Sequence, residues 1–444
     1  DKRGVKILTW VWQAGGVGSR AGAVIALTLP LGAGLRTNGA HAASACTSRV
    51  ALRVSGWSGA DNEGDLVRKG LDQFQKANPC ISVFYSPVPG NYQQKIQTEF
   101  ASSNEPDVMY VSPDMIYNEG KAGKLLKLDS YLAKDGVKLS AYIPTLLSKF
   151  QLGGSTYGLP KDWGTLGIFY NKGIFDAKHI AYPSNDLTYD QFRALAKQVY
   201  TPSTNPAKVV YGTMVPSADL GRFMTFIYGF GSEILDPATG KILFNNANTI
   251  KAVDYWTGMQ LVDHSAVQPS AVGDGWQGDS FGKGKVAMVL EGGWLTPYLR
   301  STYPSTKFGV AQIPIGPAGR ADPLFTNAWG ASANTVKGGN AAAAVKLIEY
   351  MSGPVYQKQQ LVAGFSLPAV LSLQNDPFLK AHPEQANLFA SYAVGRTGNF
   401  GSYDSQVNKV LGDALTSVLL GKETAAQAVP AAAKTLQSQI TAVP

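Results

Sequence analysis

The fold is decided by the stretch VALRVSGWSGADNEGDLVRKGLDQFQKANPCISVFYSPV, residues 50–88. VALRV alternates apolar and polar side chains, the period of a strand with one buried face. GDLVRKGLDQFQKANP then sets Leu66, Val67, Gly70, Leu71 and Phe74 on one side of a helix that stops at Asn78-Pro79. ISVFYSPV reads as a strand again, YQQKIQTEFAS (92–102) as a helix, and PDVMYVS (106–112) as a short buried strand. This β-α-β-α-β rhythm implies a parallel or mixed sheet covered by helices, with ligands bound beyond the carboxyl ends of the strands. Trp57 stands at such an end, between Gly56 and Gly59 and just ahead of Asp61 and Glu63.

At 444 residues the chain exceeds what one core usually holds, so two lobes interleaved in sequence are expected. STYGLPKDWGTLGIFYNKGIF (155–175) reads as a crossing between lobes, a short strand, a Gly-Leu-Pro turn and a second strand. FGVAQIPIGPAGRADP (308–323), a strand dissolving into Pro and Gly, is a second crossing. Between them the pattern predicts a helix over 188–200, a strand over 209–215, an aromatic-rich helix around 222–231, a helix over 247–263 and a strand over 286–293. Beyond lie a strand over 328–336, an alanine-rich helix over 340–352, and C-terminal helices around 406–421 and 424–440.

Hydrophobic residues make up 45% of the chain and charged residues 16%, which excludes wholesale disorder. The net charge is +8, and half of that excess sits in residues 1–45, where Lys2, Arg3, Lys6, Arg20 and Arg36 face only Asp1. The remaining cations are scattered, without the clustering that a phosphate footprint needs, so nucleic acid is not an expected partner.

The same residues 1–45 have the outline of an export leader: a basic start, the apolar run AGAVIALTLPLGAGL (21–35), and the small-residue stretch AHAASAC (40–46). Pro30 and the glycines interrupt the run, and it falls short of the about 20 apolar residues of a membrane span. Cleavage after Ala42 or Ala45 would release the mature chain to the periplasm or the outer face of the cell membrane. Two cysteines, Cys46 and Cys80, leave two readings open. They form one disulfide, as an oxidising compartment allows. Alternatively ASAC resembles a bacterial lipobox, with Ala43 in place of the usual Leu, and Cys46 carries a lipid anchor.

Enzymatic motifs fail on context. Gly278-Asp279-Ser280-Phe281-Gly282 fits G-x-S-x-G, but polar, glycine-rich residues precede it and a strand follows, the reverse of a nucleophile elbow. His41, His179, His264 and His382 are isolated, with no metal-ligand spacing. GKGK (282–285) lacks the spacing and hydroxyl of a phosphate-binding loop. No metal, cofactor or catalytic residue is expected.

What remains is aromatic and acidic. Trp57, Trp163, Trp294 and Trp329 sit beside glycines at breaks in the pattern, whereas Trp256, inside IKAVDYWTGMQLV, reads as helix core. A pyranose has faces of C–H bonds that pack on aromatic planes and a rim of hydroxyls that pair with carboxylates, amides and guanidinium groups. Trp57 with Asp61, Trp163 with Asp162 and Trp294 with Glu291 offer such pairs.

An ordered set of segments carries a family resemblance: VSGWSGADNEG, PDVMYVSPDMIYNEGKAGKLLKLDSYL, YGLPKDWGTLGIFYNKGIF, FGKGKVAMVLEGGW and NAAAAVKLIEYMSGPVYQKQQLVAGFSLPA. From about residue 50 onward the chain resembles the extracellular solute-binding proteins of ABC-type sugar importers, the family that includes maltose-binding protein. The resemblance implies an α/β, two-lobed periplasmic-binding-protein fold of type II kind, with two mixed sheets, flanking helices and hinge strands. The lobes would comprise 46–159 with 317–368, and 160–316 with 369–444. A mono- or oligosaccharide would be held in the cleft and delivered, after hinge closure, to membrane permease subunits served by a separate ATPase. The protein would be a monomer and not an enzyme. Trp57, Asp61, Asp114 and Trp294 match sugar-contacting positions, and Trp163, Trp329, Tyr403 and Arg396 fall in segments that approach the cleft. Asp114 also fits as a helix N-cap, and Asp107 fits better as a local cap than as a ligand group. Two alternatives stand beside sugar capture: the same fold binding a charged solute such as a glycerol phosphate or sugar acid through Lys161 or Arg396, and a secreted glycoside hydrolase with two opposed carboxylates.

Overall fold

The structure, a computed structural model, describes residues 46 and 48–441 other than 58–60, 90–91, 217–218, 237–238, 397 and 399, and their side chains except at 61, 62, 402 and 441. The leader expected at 1–45 lies outside the described residues.

Among the described residues eight strands are four residues or longer: β1 (Val50–Ser55), β2 (Ile81–Tyr85), β3 (Val108–Val111), β4 (Gly158–Gly164), β5 (Leu166–Asn171), β6 (Met288–Gly292), β7 (Phe308–Gln312) and β8 (Phe325–Ala331). Five of them form one mixed sheet in the order β2-β1-β3-β8-β4, with β1 parallel to both neighbours and β8 antiparallel to β3 and β4. The alternation of VALRV is realised as Leu52 and Val54 buried and Arg53 outside. The Arg53 backbone N–H donates to Asp107 at 2.8 Å, so that acid is tied to the sheet, in line with its local reading. Helix Asp61–Ala77 lays Val67, Leu71 and Phe74 into the core of this sheet, and helix Ala341–Ser352 packs on β8 and β4.

β6 and β7 flank β5 in a second, antiparallel sheet, where Phe169 faces Val289 and Val310. Beside it, a single parallel bridge joins Tyr211 to Val286, and Thr213–Met214 and Ala266–Val267 form a separate short parallel pair, so of the two larger sheets only the first is mixed, where the sequence suggested two. The strand expected over 209–215 is thereby reduced to two residues, because Val210 and Tyr211 pair with different partners as isolated bridges. Helices Leu220–Gly229, Ala247–Leu261, Asp404–Leu419 and Ala425–Thr441 enclose the second core, with Trp256 fully buried among them as its helical context predicts.

The chain passes from the first sheet to the second across one residue, Thr165, between β4 and β5, and returns over 313–324 between β7 and β8. The two crossings are tied together where Asp322, fully buried, accepts the Leu166 N–H at 2.9 Å. Burial pushes the Asp322 carboxyl well above its ordinary range. A further strap exchanges backbone hydrogen bonds between Trp163 and Leu367 in both directions, each 2.9 Å. Cys46 is joined to Cys80, the disulfide among the two cysteine readings.

Candidate functional site

The site begins with an irregularity in β4. Asn327 of β8 faces Asp162, but Ala328 faces Pro160, so Lys161 is the extra residue of a bulge. A bulge breaks strict alternation and re-aims side chains, which is how Lys161, Asp162 and Trp163 all come to line one cavity of about 500 Å³.

Lys161 is buried and fully engaged. Its Nζ lies 2.5 Å from Asp162 Oδ2 and 3.7 Å from Glu63 Oε1. The ammonium also sits 4.7 Å from the ring centre of Tyr110 and 5.5 Å from that of Trp57, within cation–π range. Glu63, in the first turn of helix Asp61–Ala77, accepts the Trp57 indole N–H and the Tyr110 hydroxyl, both at 3.3 Å. Burial pushes the Glu63 carboxyl up, and Lys161 beside it opposes that rise. Trp57 itself is half-buried, 4.5 Å from Tyr110 and 5.7 Å from Tyr92 between ring centres.

The facing wall is organised by Glu291 in β6, which is fully buried. One of its oxygens accepts the indole N–H of Trp276 at 2.8 Å and the amide of Gln277 at 2.9 Å, and the other accepts the indole N–H of Trp294 at 2.7 Å. Arg222 neutralises it at 2.5 Å. Burial opposes the charge on Arg222, but Glu291 and Asp219 outweigh that cost and hold the guanidinium above its ordinary range. Glycines seat the two rings: a Cβ at Gly292 would fall 2.3 Å from Trp294, and one at Gly278 would fall 2.4 Å from Trp276. Gly278 thus supports a ring, and Ser280 in the same G-x-S-x-G string is buried and donates to Asp274 at 2.7 Å, so the motif is structural.

Of the residues singled out by sequence, Trp57, Trp163 and Trp294 line this cavity together. Trp163 is buried, and its indole donates to the Pro368 carbonyl at 2.8 Å. The side chain of Asp61 lies outside the described residues. Asp114 lines a second cavity of about 190 Å³ with Asp404 and Lys149, and both cavities share Phe325 and Asn327 as lining. Gln93 donates to Asp114 at 3.2 Å, while the N-cap position of the short helix Pro113–Met115 belongs to Ser112, so Asp114 is not the cap. Burial, with Asp114 nearby, pushes the Asp404 carboxyl up to about 7.

Three expected residues sit elsewhere. Trp329 lies in the core of the first sheet, fully buried and 4.5 Å from Tyr110, because its strand is one of the sheet's interior members. Tyr403 packs against the core formed by the C-terminal helices. Arg396 is not among the lining residues of either cavity; its side chain pairs with Glu233 and stacks 4.9 Å from the Tyr228 ring. The pairing of Trp294 with Glu291 as a sugar-facing couple is also corrected, since both carboxylate oxygens are consumed within the protein.

The lining also includes residues that sequence reasoning passed over as site groups: Glu63, Trp276, Tyr298, Asn327, Phe365 and Ser366. Trp276 carried the signal, since it lies one residue from Gly275 and two from Gly278, the same glycine flanking as Trp57, Trp163, Trp294 and Trp329. Nothing local marks Asn327 or Ser366.

A family model described as bacterial extracellular solute-binding protein matches residues 69–387. A binding protein of Brucella abortus is 26% identical over 286 residues, 63% of this chain and 66% of that protein, so the match spans just under two thirds of the relative. Among solved structures, the ABC substrate-binding protein of Listeria monocytogenes in complex with cycloalternan superposes with a TM-score of 0.81 at 23% identity, over 89% of this chain and all of that one. UgpB of Mycobacterium tuberculosis in complex with glycerophosphocholine gives a TM-score of 0.77 at 19% identity, over 87% of this chain and 98% of that one. At these identities the likeness establishes the fold, a two-lobed mixed α/β architecture, and says nothing of the ligand.

Proposed function

The chain belongs to the bacterial extracellular solute-binding proteins, and from that premise we propose that it captures a neutral sugar or short oligosaccharide in the tryptophan-lined cavity for an ABC importer. The observation that carries this reading is the pairing of four indoles, Trp57, Trp163, Trp276 and Trp294, with a polar strip on β4 and β8 in one cavity. Aromatic faces take the C–H faces of a sugar, and polar side chains take its hydroxyls. The volume lies within the roughly 300–1,000 Å³ of small-molecule sites.

The lobes are taken as 46–159 with 317–368 and 160–316 with 369–444. The chain leaves the first sheet only at Thr165, a few residues past the first of these boundaries, and returns to it over 313–324, which spans the second. Ligand bridging both walls favours the closed form to the extent that it binds that form better. A permease with its own ATPase is the partner that would receive the ligand, and the protein acts as an exported monomer without catalytic chemistry. With Cys46 in a disulfide, we propose export without a lipid on that residue.

The charged-solute alternative is disfavoured by the state of Lys161. Its ammonium is matched by Asp162 and Glu63, and among the described residues it is the cation that lines the tryptophan cavity. Calorimetric titration against maltose, lactose, maltotriose, glycerophosphocholine and glucuronate tests the reading. Binding of a neutral sugar, unchanged in composition after incubation, is expected. Tight binding of only the charged solutes would overturn it, and turnover of an oligosaccharide would return the hydrolase reading.

A further inference from the structure

The hydrogen-bonding capacity around the cavity is unevenly spent. All four indole N–H groups have acceptors inside the protein: Glu63 for Trp57, the Pro368 carbonyl for Trp163, and Glu291 for Trp276 and Trp294. The Tyr298 hydroxyl donates to Asp279, and Thr165 donates to the Leu388 carbonyl. Lys161 is held between two carboxylates. Three lining side chains keep unused capacity. Ser366 Oγ is buried without any partner, in a residue only 9% exposed. The Asn327 carboxamide makes no hydrogen bond among the described residues, and Asp162 uses one oxygen of its two.

These three are not scattered. Asp162 and Asn327 face each other across β4 and β8 at the bulge. Ser366 adjoins Leu367, whose backbone pairs with Trp163 in the next position of β4. The unspent groups therefore form one strip on one wall, and the wall of Trp276, Trp294 and Tyr298 offers rings whose polar atoms are already used.

We propose that this strip, Asp162, Asn327 and Ser366, selects among sugars, and that the four indoles supply contact area without discriminating between hydroxyl configurations. This rests on the sugar reading of the cavity and deepens it. Buried polar groups left without a partner penalise a ligand that cannot satisfy them, so a sugar whose hydroxyls match the strip is preferred over its epimer. A ring face gives nearly the same area to either epimer. Recognition is thus one-edged: the hydroxyls turned to the strip are read, and those turned to the Trp276 side are not.

The experiment is calorimetric titration of the full mature chain with glucose, galactose and mannose, and with cellobiose against lactose, which differ at one hydroxyl. Wild type is compared with Ser366→Ala, Asn327→Ala and Trp276→Phe, each checked for an unchanged thermal midpoint, with Ser366→Thr as the variant that retains a hydroxyl. The strip variants are expected to change at least one epimer ratio by fivefold or more, with Ser366→Thr staying closer to wild type than Ser366→Ala. Trp276→Phe is expected to weaken all sugars that bind by a common factor, leaving ratios within twofold. Epimer ratios that move in Trp276→Phe and stay fixed in both strip variants would overturn the proposal while leaving sugar binding intact. A wild-type protein that binds none of these sugars or maltotriose would overturn the sugar reading itself.

Discussion

Replacing Glu291 by Gln is the sharpest probe of how the site is held. The side chain keeps its shape but loses its charge and one acceptor. If the amide oxygen stays on the side of Trp276, Gln277 and Arg222, the new NH₂ faces the indole N–H of Trp294, now 2.7 Å away, and that donor is orphaned. An unsatisfied buried donor costs about 1–3 kcal/mol. Arg222 loses its buried counter-charge, for which breaking a pair costs roughly 3–5 kcal/mol, but it retains Asp219 and the Leu290 carbonyl, so only part of that applies. A net loss of about 3–4 kcal/mol is expected. At roughly 2–4 °C per kcal/mol for a lobe-sized domain, the melting midpoint should fall by about 6–16 °C. The binding consequence is separate: with Trp294 no longer anchored, sugar affinity should fall by about tenfold, or about 1.4 kcal/mol. Scanning calorimetry of the ligand-free protein and titration of the best sugar measure the two effects. A midpoint within 2 °C of wild type, with unchanged affinity, would refute the assignment of Glu291 as the anchor of both rings.

Trp57→Ala should weaken sugar binding by at least tenfold, and should also lower stability by about 2–4 kcal/mol, because the ring packs against Tyr92 and Tyr110 as well as facing the cavity; retained affinity in titration would return it to a purely structural role. Asp404, pushed up to about 7, is protonated in the folded chain where an unfolded carboxyl is already charged, so its stabilising effect is complete below about pH 4 and is lost as pH rises toward 7. Urea midpoints should therefore drop between pH 5 and 7.5, by on the order of 2 kcal/mol of stability, and Asp404→Asn should flatten that slope; equal slopes would count against it. Thiol titration of the unfolded, non-reduced mature protein should find no free cysteine, and reduction should cost about 3–4 kcal/mol for a closed loop of 34 residues; a free thiol at Cys80 would restore the lipidated reading of Cys46.

The elements that announced themselves were those with strong periodicity. The alternation of 50–55 and the apolar face of 61–77 follow from which side chains must leave water, and the crossing at 155–175 follows from two strands broken by glycine. Trp57, Trp163 and Trp294 were legible because each is a large ring beside a glycine at a break in the pattern. Trp329 has the same local signature and proved buried, since whether a strand is interior to a sheet depends on neighbours distant in the chain. For the same reason Glu291 looked ligand-facing, although its charge is absorbed by Arg222, which is 69 residues away in sequence. Asn327 and Ser366 were invisible, as single polar residues acquire meaning only through what their surroundings fail to offer them.

The ring of indoles has an optical consequence. Four of the chain's eight tryptophans line one cavity, and Trp57 has an ammonium 5.5 Å from its ring centre. Indole emission responds to the polarity and charge beside the ring, so a ligand entering this space changes the surroundings of half the chromophores at once. Their N–H groups are fixed to internal acceptors, which keeps the rings from reorienting and makes the change report on occupancy. The protein is, in that sense, its own unlabelled fluorescent sensor for whatever it carries.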